Sequence, residues 1–222
     1  MITANTEVGE IATTHPLATR VFARHHIDYC CGGNRPLAEA CSKRGLEVAT
    51  IISELESEID RSDTTTVRWD LEPLPELIRH ILHVYHAPLQ QELPRLMAMA
   101  TKVRRVHGER DPARFEAIER NVLVLAAELQ AHMQKEERIL FPMIAGGNGS
   151  MANGPISVME AEHDDAGAML DALRELTNDY VVPDDACNTW RALWAGLEDL
   201  EHSLHEHIHL ENNILHRRAL EE

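Results

Sequence analysis

No apolar run in this chain comes near the ~18 residues that would cross a bilayer as a helix. The longest obvious one, Val122 to Ala127, ends at Glu128. A membrane-spanning role is therefore not expected. The opening MITANTEVGE has neither the basic start nor the apolar stretch of a secretory leader, so a cytoplasmic location is expected. Positive charge is scarce as well. Lys and Arg number 21 against 37 Asp and Glu, a formal net charge of −16 with neutral His. Such a surface repels nucleic acid and anionic membranes, and neither is an expected partner. Cysteine occurs four times, with Cys30 and Cys31 adjacent. That is no disulfide framework, and 222 residues can bury a core without one. Aromatic residues are few, with three each of Trp, Tyr and Phe. Histidine is plentiful by contrast: 14 of them outnumber all the aromatics together. Many His with few Cys point to imidazole metal ligation rather than a Cys-based zinc site.

The punctuation of the chain predicts an all-α protein. Strand signals are weak, since nothing alternates with period two for long. Residues 1–60 read as a small helical domain. Thr14 is the expected cap of a helix with Pro16 in its first turn, covering the amphipathic segment Leu17 to Ile27. Gly32-Gly33 breaks the pattern, and further helical segments run from about Pro36 to Arg44 and Val48 to Ile59. Residues 61–73, rich in Thr and Asp, read as a linker. Residues 74–222 then hold four long helices, at about 74–106, 112–144, 155–178 and 186–219. Gly108 to Pro112, the loop GGNGSMANGP and the stretch VVPDD separate them, with Asp185 as the expected cap of the last. Short connections between long helices predict an up-down four-helix bundle.

A bundle helix carries an apolar seam stepping by three and four. The first seam runs Ile78, Leu82, His86, Leu89, Leu93, Leu96. The second runs Ile118, Val122, Leu125, Leu129, His132, Glu136, Ile139, Met143. The third runs Ile156, Met159, His163, Ala166, Leu170, Leu173. The fourth runs Leu193, Leu197, Leu200, Leu204, His207, Glu211, Ile214. Every seam is interrupted by His, and two also by Glu. Burying such groups in an apolar core is costly unless a common partner satisfies them, and a pair of cations would. His and Glu four apart share a helical face, so each His-x-x-x-Glu pair can grip one site. His132 and His207 lie 75 residues apart, as do Glu136 and Glu211, while His86 and His163 lie 77 apart. The halves therefore repeat, each bringing one His and one His-x-x-x-Glu. Four imidazoles and two carboxylates suit iron, and also zinc or manganese. If both Glu bridge, the protein fills roughly eight of about twelve positions in two octahedra, leaving room for an oxo or hydroxo bridge and open positions. His80, His83, His202, His205 and His209 leave the aliphatic register and are expected at the surface or behind the ligands. Pro88, two residues past His86, removes a helical hydrogen bond and can kink that helix.

The segments LIRHILHVYH (77–86), HMQKEERILFPMI (132–144), GPISVMEAEHD (154–164) and HIHLENNIL (207–215) resemble a hemerythrin-type domain. With DYCCGG (28–33) ahead of it, nearly the whole chain resembles the Repair of Iron Centres family. That resemblance implies two non-haem iron ions, held by His86, His132, His163 and His207 and bridged by Glu136 and Glu211. It also implies one His fewer than an oxygen-carrying hemerythrin, hence a more open centre. The implied work is repair of iron–sulfur clusters damaged by oxidative or nitrosative stress, by iron donation or nitric-oxide chemistry. Damaged iron–sulfur proteins and diatomic ligands, nitric oxide and oxygen, are the implied partners. A homodimer is compatible with the sequence and not required by it. Two alternatives stay open: a sensor or carrier of nitric oxide or oxygen, and a di-iron nitric-oxide reductase or peroxidase.

Cys30 and Cys31 are the candidate catalytic residues. Adjacent cysteines bonded to each other form a strained ring, which disfavours a mutual disulfide. A thiol electron donor, a soft-metal ligand for iron in transit and an intermolecular disulfide are the functional options. Two half-buried small residues at a turn are the plain one. Cys41 and Cys187 have no motif around them.

Overall fold

The computed structural model describes residues 2–60 and 67–221; residues 61–66 of the expected linker lie outside the described residues. The chain divides into two compact units. One comprises residues 1–79, 144–153 and 205–222, and the other residues 80–143 and 154–204. The described residues are helical, with a single isolated bridge between Glu7 and Pro36 in place of any strand.

In the first unit the helices are α1 (Val8–Thr14), α2 (Ala18–Arg24), α3 (Leu37–Lys43) and α4 (Val48–Asp60). They close around Val8, Ile11, Phe22, Leu37, Ile51 and Leu55, all at most 1% exposed. Helix α1 is absent from the sequence expectation. Thr14 does not cap the next helix but ends this one, its hydroxyl donating back to the Glu10 carbonyl at 2.7 Å. Seven residues carry too little periodicity to announce a helix. Helix α1 is held instead by bonds to the loop ahead of α3: Val8 N–H to Arg35 O at 3.0 Å, and Gly9 N–H to Gly33 O at 2.8 Å.

The second unit is the body of a four-helix bundle with up-down connections. Its residues come from four long helices, α5 (Leu74–Ile81, Leu82–His86, Ala87–His107), α6 (Pro112–Lys135, Glu136–Leu140, Phe141–Ala145), α7 (Asn153–Thr177) and α8 (Asn188–His209, Leu210–Leu215, His216–Glu221), of which residues 74–79, 144–145, 153 and 205–221 belong to the first unit. Both ends of α5 and α6 and the far end of α8 match the expected bounds to within a few residues. Asp111 caps α6 by accepting the Arg114 N–H at 3.2 Å, with Pro112 in the first turn. The expected cap Asp185 does not start α8, which begins at Asn188; Asp185 pairs with Arg110 instead. Helix α7 stops where Asn178, Asp179 and Tyr180 all turn left-handed, at φ 55–59°. Beyond that turn Tyr180 donates to the buried Glu201 at 2.6 Å, and Arg174 grips the same carboxylate at 2.9 Å.

Three bundle helices are not α-helical throughout. Leu82–His86, Glu136–Leu140 and Leu210–Leu215 are π-helical, with bonds reaching five residues instead of four. The first two end two residues before Pro88 and Pro142. A proline has no N–H for the carbonyl four residues back, and its ring crowds that carbonyl. A wider turn accommodates both problems, and Pro88 follows one. Pro94 sits in the same helix without such a segment, so proline permits the widening and does not dictate it. The wide turns displace the seams. Ile139 and Met143 do not lie on the buried face as expected. Ile139 is 53% exposed, and Leu140 and Ile144 are buried in their stead. Likewise Ile81 is buried while Leu82 is only partly so. The third seam and the aliphatic part of the fourth are buried as expected.

Candidate metal centre

The bundle unit gathers four of the six expected ligands. His86 and Glu136 sit at the ends of two π segments, His132 one turn before Glu136, and His163 in mid α7. Their exposures are 1%, 0%, 5% and 3%. His86 Nε2 and His132 Nε2 each lie 3.3 Å from Glu136 Oε2, and His163 Nε2 lies 3.0 Å from His132 Nε2. One ligand atom from each of His132, Glu136 and His163 falls within 4.8 Å of the other two. In the other unit, on the far part of α8, His207 Nε2 lies 2.9 Å from Glu211 Oε1, with both residues buried. All four imidazoles therefore turn the same nitrogen toward a carboxylate or a neighbouring ring.

The opposite nitrogens show how that orientation is fixed. His86 Nδ1 is 2.9 Å from Glu137 Oε1, and His132 Nδ1 is 2.9 Å from Glu162 Oε2. A carboxylate on Nδ1 holds the proton there and leaves the Nε2 lone pair facing inward, the arrangement metal-bound imidazoles use. Lys135 pairs with the same Glu162. Burial works against charge on Glu162, but the Lys135 ammonium and His132 outweigh it and hold its carboxyl below the usual range. Sequence reasoning missed Glu137 and Glu162. Both neighbour a ligand in sequence, Glu136 and His163, and that adjacency was the available signal.

The donor set fits a cation. With the His132 proton on Nδ1, the 3.0 Å approach of His132 Nε2 to His163 Nε2 needs a proton or a cation between the rings, and a carboxylate at 0% exposure is costly without positive charge. Nitrogen and carboxylate donors together suit iron, zinc or manganese.

Of the histidines set aside, His83 and His202 are exposed, and His202 Nδ1 lies 3.0 Å from the Glu198 carbonyl of its own helix. His80 stands edge-on to Tyr85. His209 departs from a surface role. It is 4% exposed, packs edge-on to Tyr29, and burial pushes its pKa down to about 4.

The thiol loop docks within its own unit on the end of α8. Asn213, two residues past Glu211, donates to the carbonyls of Tyr29 (3.2 Å) and Cys30 (3.1 Å). A side chain at Gly33 would put its first carbon 2.2 Å from Asn213 Oδ1, which is why the motif ends in glycine. Cys30 is 4% exposed and Cys31 partly exposed. The hydrogen bond with Cys31, burial and the nearby Asp28 charge push the Cys30 thiol well above its usual range. It is protonated at neutral pH. Cys41 is buried in the core of its unit, while Cys187 is exposed, 3.2 Å from His107 Nε2.

A helical bundle with buried His and Glu along its seams is the hemerythrin type of cation-binding protein. The match is direct: residues 77–219 fit the family model described as the hemerythrin HHE cation binding domain. Residues 4–59 fit ScdA_N, described as a domain of unknown function. Over 213 residues, 96% of each chain, the sequence is 46% identical to the iron-sulfur cluster repair protein YtfE of Dickeya chrysanthemi (strain Ech1591). Proteins of the same name from Yersinia pestis (strain Pestoides F) and Yersinia pseudotuberculosis (serotype O:1b, strain IP 31758) are 44% identical over 216 residues, 97% of each chain. The chain belongs to the YtfE family of iron–sulfur cluster repair proteins.

Proposed function

We propose that this chain repairs iron–sulfur clusters damaged by oxidative or nitrosative stress, using two non-haem irons held by His86, His132, Glu136, His163, His207 and Glu211. Glu136 and Glu211 would bridge the two ions, with an oxo or hydroxo bridge between them. The observation that carries the reading is that Nε2 of each of the four buried histidines faces a buried carboxylate or a neighbouring imidazole, two of the rings being fixed by a second carboxylate on Nδ1. The span of the hemerythrin match, which includes all six residues, supports it, as do relatives named for iron–sulfur cluster repair. When bound, the irons supply exchangeable metal and open positions for nitric oxide or oxygen. The chain's own groups do the rest. Glu137 and Glu162 keep the Nδ1 protons of His86 and His132 in place, and Lys135 keeps Glu162 ionised. A small thiol domain, residues 1–60, is joined through 61–73 to the bundle, 74–222. Cys30 and Cys31 assist transfer or redox cycling. The clients are damaged iron–sulfur proteins in the cytoplasm.

The test is reactivation of a nitric-oxide-damaged iron–sulfur enzyme by the iron-loaded full chain. Reactivation that falls when Cys30 and Cys31 become Ser, at unchanged iron content, is the expected result. Full iron loading with no reactivation contradicts the repair reading. Steady nitric-oxide consumption with an electron donor, in place of reactivation, would assign a reductase.

A further inference from the structure

The loop that carries the two thiols also holds a third donor. Asp28 Oδ1 accepts the backbone N–H groups of Cys30 (3.1 Å) and Cys31 (3.0 Å), and Oδ2 accepts that of Gly32 (2.9 Å). These bonds fold the carboxylate back over the turn. Oδ1 comes to lie 3.4 Å from Cys30 Sγ, and the two sulfurs stand 3.9 Å apart. One donor atom from each of the three residues falls within 4.8 Å of the others.

Those separations match the edges of a metal tetrahedron. With Zn–S of about 2.3 Å and Zn–O of about 2.0 Å, tetrahedral geometry puts sulfurs about 3.8 Å apart and sulfur and oxygen about 3.5 Å apart. A disulfide would need the sulfurs at about 2.0 Å. Thiolate pairs select thiophilic and borderline ions, unlike the nitrogen and oxygen donors of the bundle. We propose that Asp28, Cys30 and Cys31 form a separate mononuclear site for a thiophilic divalent cation, zinc being the representative. The fourth corner is left to water or an incoming thiolate. Binding replaces two S–H bonds by two metal–sulfur bonds and releases two protons to solvent; nothing is oxidised or reduced. Arg35, whose guanidinium lies 3.9 Å from Asp28 Oδ2, offsets the surplus negative charge. Cys31 and Asp28 are partly exposed and Cys30 is buried, so the ion enters from the Cys31 side. With three donors from one turn and an open corner, the ion can leave by ligand exchange. The site stands whether or not the chain repairs clusters.

Cobalt(II) is the probe, because only thiolate ligands give the near-ultraviolet sulfur-to-cobalt charge-transfer band. The iron-loaded full chain is titrated in a background of Cys41→Ser and Cys187→Ser, which removes the other thiols. The expected band saturates at one equivalent, with about two protons released per ion, and zinc abolishes it. Cys30→Ser and Cys31→Ser each remove the two-thiolate band. Asp28→Asn keeps an oxygen for the Cys30 and Cys31 N–H bonds and gives up only the one from Gly32, yet it weakens binding by at least about tenfold. Absence of the band in the parent protein overturns the proposal. So does an unaltered band in Cys31→Ser, or an Asp28→Asn titration like the parent's. A chain that takes up cobalt here but no iron would refute the repair reading and leave this site intact.

Discussion

Replacing Gly33 by Ala tests how the thiol loop is fastened. Gly33 does not have the positive φ that only glycine tolerates well; its constraint is space. The added carbon would sit 2.2 Å from Asn213 Oδ1 and 2.9 Å from both Cγ and Nδ2. Asn213 is 8% exposed and cannot swing aside without abandoning the carbonyls of Tyr29 and Cys30. If it stays, overpacking costs about 1–3 kcal/mol. If it moves, two buried hydrogen bonds are lost at about 1 kcal/mol each. The first route gives a loss of about 1–3 kcal/mol and the second about 2 kcal/mol, read as an earlier denaturant midpoint and faster amide exchange across residues 28–35. Asn213→Ala alone loses the hydrogen bonds and relieves the collision. The double variant should therefore be less destabilised than the sum of the singles, by about 1–2 kcal/mol. A neutral Gly33→Ala, or strictly additive singles, would refute the docking argument.

Glu137→Gln and Glu162→Gln each loosen the hold on an imidazole Nδ1 proton and should weaken iron retention by about 10–100-fold in a chelator competition; retention equal to the parent's would remove their role. His83→Ala and His202→Ala, both exposed, should leave iron content unchanged, and metal loss from either would place a ligand outside the four seams. Tyr180→Phe strips a hydrogen bond from buried Glu201 and should cost about 1.5–3 kcal/mol at neutral pH. Burial and Glu201 hold the Tyr180 phenol far above its ordinary value. Its contribution is thus complete below about pH 10 and declines as pH rises past that point. Melting curves should show the gap between wild type and Tyr180→Phe narrowing in alkali; a gap that widens would contradict the linkage.

The sequence made the bundle readable because four long helices carry aliphatic seams with glycine- and proline-marked breaks between them. His163 and its neighbours Ile156, Met159, Ala166 and Leu170 followed an unbroken 3.6-residue period, and all are buried. The period failed at the π segments. An inserted fraction of a turn moved burial from Ile139 to Leu140, and from Leu82 to Ile81, and no hydrophobic pattern signals such a turn in advance. Helix α1 escaped because it is held by bonds to Gly33 and Arg35, distant in sequence. Glu137 and Glu162 were hidden for a related reason. Each acts across helices, on His86 and His132, at separations of 51 and 30 residues. Their place beside a ligand in sequence was the one signal, and it does not specify which imidazole each reaches.

The central claim is that buried imidazoles and carboxylates of this chain hold two irons together. Metal analysis of the purified full-length protein, with its optical spectrum, tests it most directly. Two irons per chain with oxo-bridge absorption, lost when His132 and His207 are replaced by Ala, is the predicted result. A colourless protein carrying a single zinc, or iron that stays after both replacements, would contradict it.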